Sequence, residues 1–361
     1  MKKVFGSFIL FLLGCVACSS DDDEKMRIGY SGKDISNQVE IFRDTETKKA
    51  TMNVTTDNEW KLYAGPTVEA IDLTQIVLTG TSKGEFNLAL DADKRYIFQF
   101  ETKEGQALVA EKRLPIKGGY NFRDMGGMKN KENKFVRWGR LFRTDEMNKL
   151  TDEDLTYVAS TGLLTVVDFR TSSEKEGGLG GMIPPAPDKL AVSIKNTYDL
   201  PISAGNIFSD EAMNKIRQGA TSDELAEVMK NSYIELVSKD EYVASLKTFF
   251  SYIQDESKLP LSFHCSAGKD RVGVVSMLIY SALDIDKETI MKDYMLSKQY
   301  IAGKYDKYVM VYPSIGPLVT VDEAYLEAAY TTIEQKYGSM NKFLTEVLNI
   351  DINKMKKLYL Y

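Results

Sequence analysis

The chain has 361 residues, of which 43% are hydrophobic, and a formal net charge of −6. That length can bury a sizeable core and suits two domains, while the acidic balance argues against a broad nucleic-acid footprint. One histidine, His264, and three cysteines, Cys15, Cys18 and Cys265, exclude schemes that pair a nucleophile with a separate histidine base, and exclude most His-rich metal sites. No metal and no cofactor is expected.

At the N-terminus, Lys2 and Lys3 precede an apolar stretch over 4–14. It is too short to span a bilayer but suits a signal-peptide core. The stretch ends in Leu12-Leu13-Gly14-Cys15, which resembles a bacterial lipobox whose cysteine is lipidated after cleavage; Cys18, after Val16-Ala17, is a rival site. Residues 1–18 are therefore expected to be a lipoprotein signal peptide and lipobox. Residues 19–25, with Asp21-Asp22-Asp23-Glu24, are expected to be an acidic tether. This run is either a plain spacer or, by resemblance, the surface-export signal of some Gram-negative lipoproteins. The expected location is the bacterial cell envelope, with the chain anchored to the membrane through lipid. Cys265 is then the one thiol of the folded body, without a partner for an intramolecular disulfide. An exported protein that keeps such a cysteine needs it as a thiol.

From 26 to 115 the apolar pattern has period two, as in Met52/Val54, Phe86/Leu88/Leu90 and Tyr96/Phe98/Phe100. Turn signals separate these runs at Asp57-Asn58, Gly80 to Gly84, Asp91 to Lys94 and Lys103-Glu104-Gly105. The pattern predicts a small β-sandwich with Trp60 in its core. The other reading of Trp60 and Tyr63 is an exposed carbohydrate-binding pair. No partner for this region can be read from its residues.

Over 116–361 strands alternate with helices, which predicts an α/β domain whose central sheet is mostly parallel and flanked by helices. Thr151 to Asp154 reads as a helix start with acidic first-turn residues. Strands are expected at 163–168, 190–194 and 261–265, and helices at 222–237, 242–254, 286–300, 322–337 and 340–348. The stretch 196–225, with Pro201, Ser203, Gly205 and Gly219, reads as a long loop, either a lid or a surface excursion. In such sheets ligands sit at the C-terminal ends of the strands. Asp168 and Cys265 both fall there.

The most informative stretch runs from Pro260 to Gly273: PLSFHCSAGKDRVG. An apolar strand delivers Cys265 into a small-residue loop, and Arg271 follows on the first turn of an apolar helix. A strand–loop–helix of this kind aims backbone N–H groups at one point, a ready anion site. The same partial charge favours a thiolate at Cys265, and Arg271 can add a bidentate fork to phosphate oxygens. Ser266, Ala267, Gly268 and Lys269 supply the cradle, and Asp270 or Asp168 the proton for a leaving group. Lys269 either screens extra substrate charge or is a solvated loop lysine. His264 is expected to bond backbone groups of the loop and orient Cys265.

These residues resemble the Cys-x5-Arg signature of protein-tyrosine phosphatases, and more narrowly the His-Cys-x-x-Gly-Lys-Asp-Arg branch of bacterial tyrosine and dual-specificity phosphatases. Asn121-Phe122-Arg123-Asp124-Met125-Gly126-Gly127 resembles that branch's opening motif. Asp168-Phe169-Arg170, with Glu174 beyond, resembles its strand-end motif. The resemblance implies a phosphomonoester hydrolase with a phosphocysteine intermediate, acting on phosphorylated protein or, in the phosphoinositide alternative, on phospholipid. It departs at Val272, where many relatives carry a hydroxyl that helps the cysteine leave. Arg123, Asp124 and Arg170 are expected to brace the cleft by ion pairs, with Asn121 in the same supporting set. Two other classes compete: a catalytically dead surface-binding module and a rhodanese-like sulfur transferase.

The N-terminal pattern makes a measurable prediction. The native protein should partition into the detergent phase, and replacing Cys15 and Cys18 together should move it to the aqueous phase. Unchanged partitioning of that double variant would exclude a lipid on either cysteine.

Overall fold

The computed structural model describes residues 28–177, 185–205 and 210–361. The expected signal peptide, both candidate lipidation cysteines and the acidic tether lie outside the described residues. Among those residues no helix is long and apolar enough to cross a membrane.

The N-terminal region consists of two antiparallel sheets. One holds Val39–Arg43, Ala50–Val54 and Gly84–Leu88; the other runs in the order Ser31–Gly32, Gly105–Ala110, Ile97–Thr102, Trp60–Gly65 and Leu78–Gly80. Alternation decides what each strand buries: along Val39–Arg43 the first, third and fifth residues are buried and the others exposed. Met52 lies opposite both Ile41 and Phe86, so three sheet neighbours aim apolar side chains the same way. They share one cluster with Trp60, Leu62, Phe98, Phe100 and Val109 of the facing sheet. Trp60 is fully buried and donates its indole N–H to the Ser82 carbonyl at 3.0 Å. Tyr63 is buried too, packed with Ile71, Ile97 and Leu108 on the other face of its strand. The exposed carbohydrate-binding pair is therefore corrected: neither ring has a free face.

Past this region a mixed five-stranded sheet has the order Asn196–Asp199, Thr165–Asp168, Leu261–His264, Leu141–Thr144 and Arg123–Asp124. The first four strands are parallel and the last is antiparallel. Leu261–His264 lies at its centre, with His264 level with Thr144 on one side and Asp168 on the other. The helix Asp270–Ala282 that follows is buried on nearly all sides, as its mostly apolar sequence beyond Arg271 requires. Thr151 and Asp154 form a reciprocal capping box at the start of the helix Asp152–Ser160.

Several boundaries differ from expectation for local reasons. The strand expected over 190–194 is irregular, with Val192 82% exposed, and the true edge strand is Asn196–Asp199. Its residues alternate between half-buried and exposed, so it carries no apolar signal and is set by pairing with Thr165–Asp168. The expected loop over 196–225 contains that strand and a helix at Asp210–Arg217. Thr221, not Ser222, caps the helix Ser222–Ser238, because Glu224 three residues on completes its capping box. The helix expected over 340–348 is a short helical turn followed by a π-turn at Phe343–Val347. Ile352–Tyr359 is an additional helix, with Met355, Leu358 and Tyr359 on its buried face.

The two sheet regions meet across buried charge. Arg43 donates to Glu111 at 2.8 Å with neither side chain exposed, and the Tyr157 hydroxyl donates to the same carboxylate. Removing one partner of such a pair strands the other in a medium that cannot solvate it. Glu111→Ala should therefore cost about 3–5 kcal/mol, seen as a lower urea midpoint at unchanged denaturant slope. A midpoint equal to wild type would show that the pair is solvated in solution.

Candidate active site

Cys265 follows the central strand directly, is 1% exposed, and opens the loop that ends at the helix Asp270–Ala282. Three carbonyls of that loop have partners. Ser266 O accepts from Lys304 Nζ at 2.8 Å, Ala267 O from Asn121 Nδ2 at 3.4 Å, and Gly268 O from Asn121 Nδ2 at 2.8 Å and Arg143 Nη2 at 3.0 Å. Because a trans peptide points its C=O and N–H in opposite directions, the N–H groups of Ala267, Gly268 and Lys269 face away from these partners. That is the arrangement an anion cradle needs. Gly268 has φ +64°, and a Cβ there would lie 2.4 Å from the Thr144 carbonyl oxygen, so only glycine fits.

Arg271 is buried and held along one edge. Its Nη1 donates to Glu174 Oε2 at 2.9 Å and to the carbonyls of Phe169 and Ile202 at 3.0 Å each, and its Nη2 donates to Glu174 Oε1 at 2.7 Å. Its Nε is buried without a hydrogen-bond partner among the described residues. A guanidinium anchored on one side with an unmet donor on the other is positioned to receive a tetrahedral oxyanion. Glu174 also accepts from Ser266 Oγ at 2.6 Å. Burial alone would raise the Glu174 carboxyl; Arg271 and Ser266 outweigh it and hold the group at about 2.

The two candidate acids sit in different surroundings. Asp168 is chelated by Arg170, whose Nε lies 3.1 Å from both carboxylate oxygens and whose Nη2 lies 2.9 Å from Oδ2. Asp270 Oδ1 accepts from Tyr233 Oη at 2.9 Å, and both its oxygens lie 2.8 Å from Lys269 Nζ. Lys269 is fully buried, which corrects the reading of a solvated loop lysine.

His264 does not orient the loop as expected. It is the cross-strand neighbour of Asp168, and its Nε2 lies 3.2 Å from Asp188 Oδ2 and 3.7 Å from Asp168 Oδ1. Burial would favour the neutral ring, but the two carboxylates raise its affinity for a proton. Asp168, Asp188 and His264 could together offer three metal ligands. Arg170 Nη2, however, donates to Asp168 at 2.9 Å and Asp188 at 2.6 Å, so the cation these carboxylates hold is a guanidinium.

The opening motif braces the loop from below. Asn121 reaches Gly268, the Arg123 guanidinium donates to Asn121 Oδ1, and Arg123 Nη2 donates to Ser297 Oγ at 3.2 Å. Asp124 turns the other way and accepts from the N–H groups of Gly126 and Gly139 at 2.7 Å each. Residue-type reasoning missed Arg143, Lys304 and Asp293. Arg143 and Arg123 pair with the buried Asp293, which they and Lys112 hold at about 2 against the effect of burial. Lys304 is fixed by Asp145 at 2.6 Å. None of these lies in a motif, since sheet pairing and a distant helix bring them to the loop.

The model of the tyrosine phosphatase family matches residues 114–361, more than half of the chain. The chain belongs to the tyrosine phosphatase family. A candidate tyrosine-protein phosphatase of Cupriavidus necator is 27% identical over 249 residues, 66% of this chain and 85% of that protein. The triple specificity protein phosphatase of Mycobacterium tuberculosis is 25% identical over 289 residues, 70% of this chain and all of that one. A solved structure, the core catalytic domain of a PP-IP phosphatase from S. cerevisiae in complex with citrate, aligns with 56% of this chain and 89% of its own. Its identity is 15% and its TM-score 0.27. This phosphatase therefore shares its family with enzymes over the whole region that carries the cradle.

The Glu174–Arg271 pair has a pH signature. Because the folded carboxyl is held at about 2 against an ordinary value of 4.5, the stability it contributes is fully present above about 4.5. It is lost as pH falls towards 2. Glu174→Gln should flatten the dependence of unfolding free energy on pH over that interval relative to wild type. It should also lower kcat/KM at neutral pH by roughly tenfold through a loosened Arg271. Parallel acid-unfolding curves for the two proteins would refute the pairing.

Proposed function

We propose that this phosphatase hydrolyses phosphomonoesters through a phosphocysteine on Cys265. The observation that carries the reading is Arg271, clamped by Glu174 on one edge and left with an unmet buried Nε, on the helix that closes the Cys265 loop. The Cys265 thiolate attacks phosphorus in line, and the bond from phosphorus to the leaving oxygen breaks. The loop N–H groups and Arg271 spread the charge of the transferring group. Asp270 donates a proton to the departing oxygen. In the second step it takes one from water as the S–P bond breaks and the thiolate returns. Both carboxylates are paired with a cation, Asp168 with Arg170 and Asp270 with Lys269; Asp270 is preferred because it stands at the start of the helix that closes the Cys265 loop, next to Arg271. Val272 offers no hydroxyl to help the sulfur depart, so breakdown of the phosphoenzyme rests on Asp270 and water.

Phosphorylated protein is the substrate class that the family supports. The fully buried Lys269, whose anionic partner is Asp270, favours a second reading. A more highly charged substrate such as a phosphoinositide would compete with Asp270 for this ammonium. A binding module without turnover has little support, since Cys265, Arg271 and Asp270 are all intact and built into one loop. We further infer that 26–115 is a small β-sandwich domain, with its two sheets around Trp60 as support, and that 116–361 is the phosphatase domain. A lipid on Cys15 or Cys18 and the acidic tether 19–25 would hold both at the bacterial envelope, exposed to the outside if the acidic run serves export.

A general acid matters most when the leaving oxygen is strongly basic. In single-turnover assays without added metal, Asp270→Asn should therefore lose much more on phosphoserine than on p-nitrophenyl phosphate. Asp168→Asn should slow both substrates by similar factors. Cys265→Ser, the zero point of the assay, should turn over neither yet still bind vanadate. A leaving-group dependence in Asp168→Asn and not in Asp270→Asn would reverse the assignment of the acid.

A further inference from the structure

We propose that Arg95, which lies outside the region matched by the family and far from the cradle in sequence, is a positioning residue for the phosphate loop. The inference rests on the phosphatase reading above. Arg95 lies just before the strand Ile97–Thr102 and is 3% exposed. Its Nη2 pairs with Asp124 Oδ2 at 2.7 Å, and its guanidinium lies over the Phe142 ring, 5.2 Å from the centroid. Asp124 and Phe142 are direct cross-strand partners in the sheet that carries the site. Arg95 thus holds both members of one rung of that ladder, one by charge and the other through the face of its ring.

The adjacent rung is Arg123 opposite Arg143, and these two hold the loop. Arg143 donates to Gly268 O directly, and Arg123 reaches the same carbonyl through Asn121. Successive residues of a strand point to opposite faces. The clamp at Asp124 and Phe142 therefore works from the face towards the N-terminal sheets, and Arg123 and Arg143 work from the face towards the loop. Moving the first rung moves the second, because they share a backbone. The direction of Gly268 O sets where the neighbouring N–H groups aim, so a small shift of this ladder misaligns the cradle. Arg95 Nε and Nη1 have no hydrogen-bond partner among the described residues. The residue is held by the Asp124 pair, the Phe142 ring and a bond from Nη2 to the Glu111 carbonyl at 3.3 Å. The N-terminal sheets, on this account, are part of the catalytic scaffold.

The test compares variants of the full chain at a temperature where each is folded by circular dichroism. Arg95→Gln should lower kcat on p-nitrophenyl phosphate by about tenfold or more, since a misplacement of roughly an ångström at a distance can cost ~10²-fold. It should also weaken inhibition by vanadate. Lys48→Met breaks another buried pair of the same interface, with Asp154, away from the ladder; it should lower the unfolding midpoint yet leave kcat within about twofold. Arg95→Lys keeps the charge without the flat stacking plane and should recover part of the loss. A kcat for Arg95→Gln within about twofold of wild type, or an equal fall in Lys48→Met, would overturn the proposal. Should Arg95→Gln fail to fold, Arg95→Lys decides: unchanged kcat overturns it, and a fall of roughly threefold or more with folded protein supports it. A wild-type chain that does not turn over the substrate counts against the phosphatase reading instead.

Discussion

The outward-turned carbonyls of Ser266, Ala267 and Gly268 are the constraint on which the site depends. A loop of small residues has no side chains to define its own shape, and a bare backbone in solution would turn freely. Here Lys304, Asn121 and Arg143 come from three different segments, and each takes hold of the loop's oxygens. The N–H groups are aimed as a consequence. Gly268 permits it, because its left-handed backbone lies where any Cβ would strike Thr144. The cradle is therefore shaped from outside, before any phosphate arrives, and reorganisation during reaction is small.

Holding these donors requires burying cations, which is costly unless carboxylates accompany them. Carboxylates accompany each group: Glu174 with Arg271, Asp293 with Arg123 and Arg143, and Asp145 and Glu146 with Lys304. Glu174 and Asp293 are held at about 2, and so is Asp188 beside His264 and Arg170. The balance beneath the loop still favours positive charge. Arg123, Arg143 and Lys112 crowd around Asp293, and burial together with the neighbouring Arg123 lowers Arg143 to about 10. An anion at Cys265 or a bound phosphoryl group relieves that excess. Scaffold and chemistry thus share one electrostatic arrangement.

The same logic explains why the N-terminal sheets and the α/β sheet are not joined as beads on a string. Arg95 and Lys48 each carry a charge across to Asp124 and Asp154, and Glu111, paired with Arg43 on its own side, accepts from Tyr157 on the other. Apolar packing joins them as well, with Trp138 set against Tyr63, Ile97 and Leu108. Pairs this well shielded from water are screened far less by salt than surface pairs.

The residues of the chain alone determined the chemistry. Cys265, Asp270 and Arg271 stand in one stretch, and a strand–loop–helix of that length has few other uses. Period-two alternation around Trp60 and the capping box at Thr151 were equally legible, since burial alternation and local hydrogen bonding are short-range effects written in neighbouring residues. Tertiary structure decided everything that depends on partners distant in sequence. The edge strand Asn196–Asp199 exists because Thr165–Asp168 offers it a ladder, with no apolar pattern of its own. His264 turns towards Asp188 because parallel pairing places it beside Asp168. Asp168 is held by Arg170, and Asp270 by Lys269 and Tyr233, surroundings that only the fold sets. Arg143, Lys304 and Asp293 carry no motif at all. Their roles arise because burial strips water from charged groups and leaves only other protein groups to satisfy them, and which groups are near is a property of the fold.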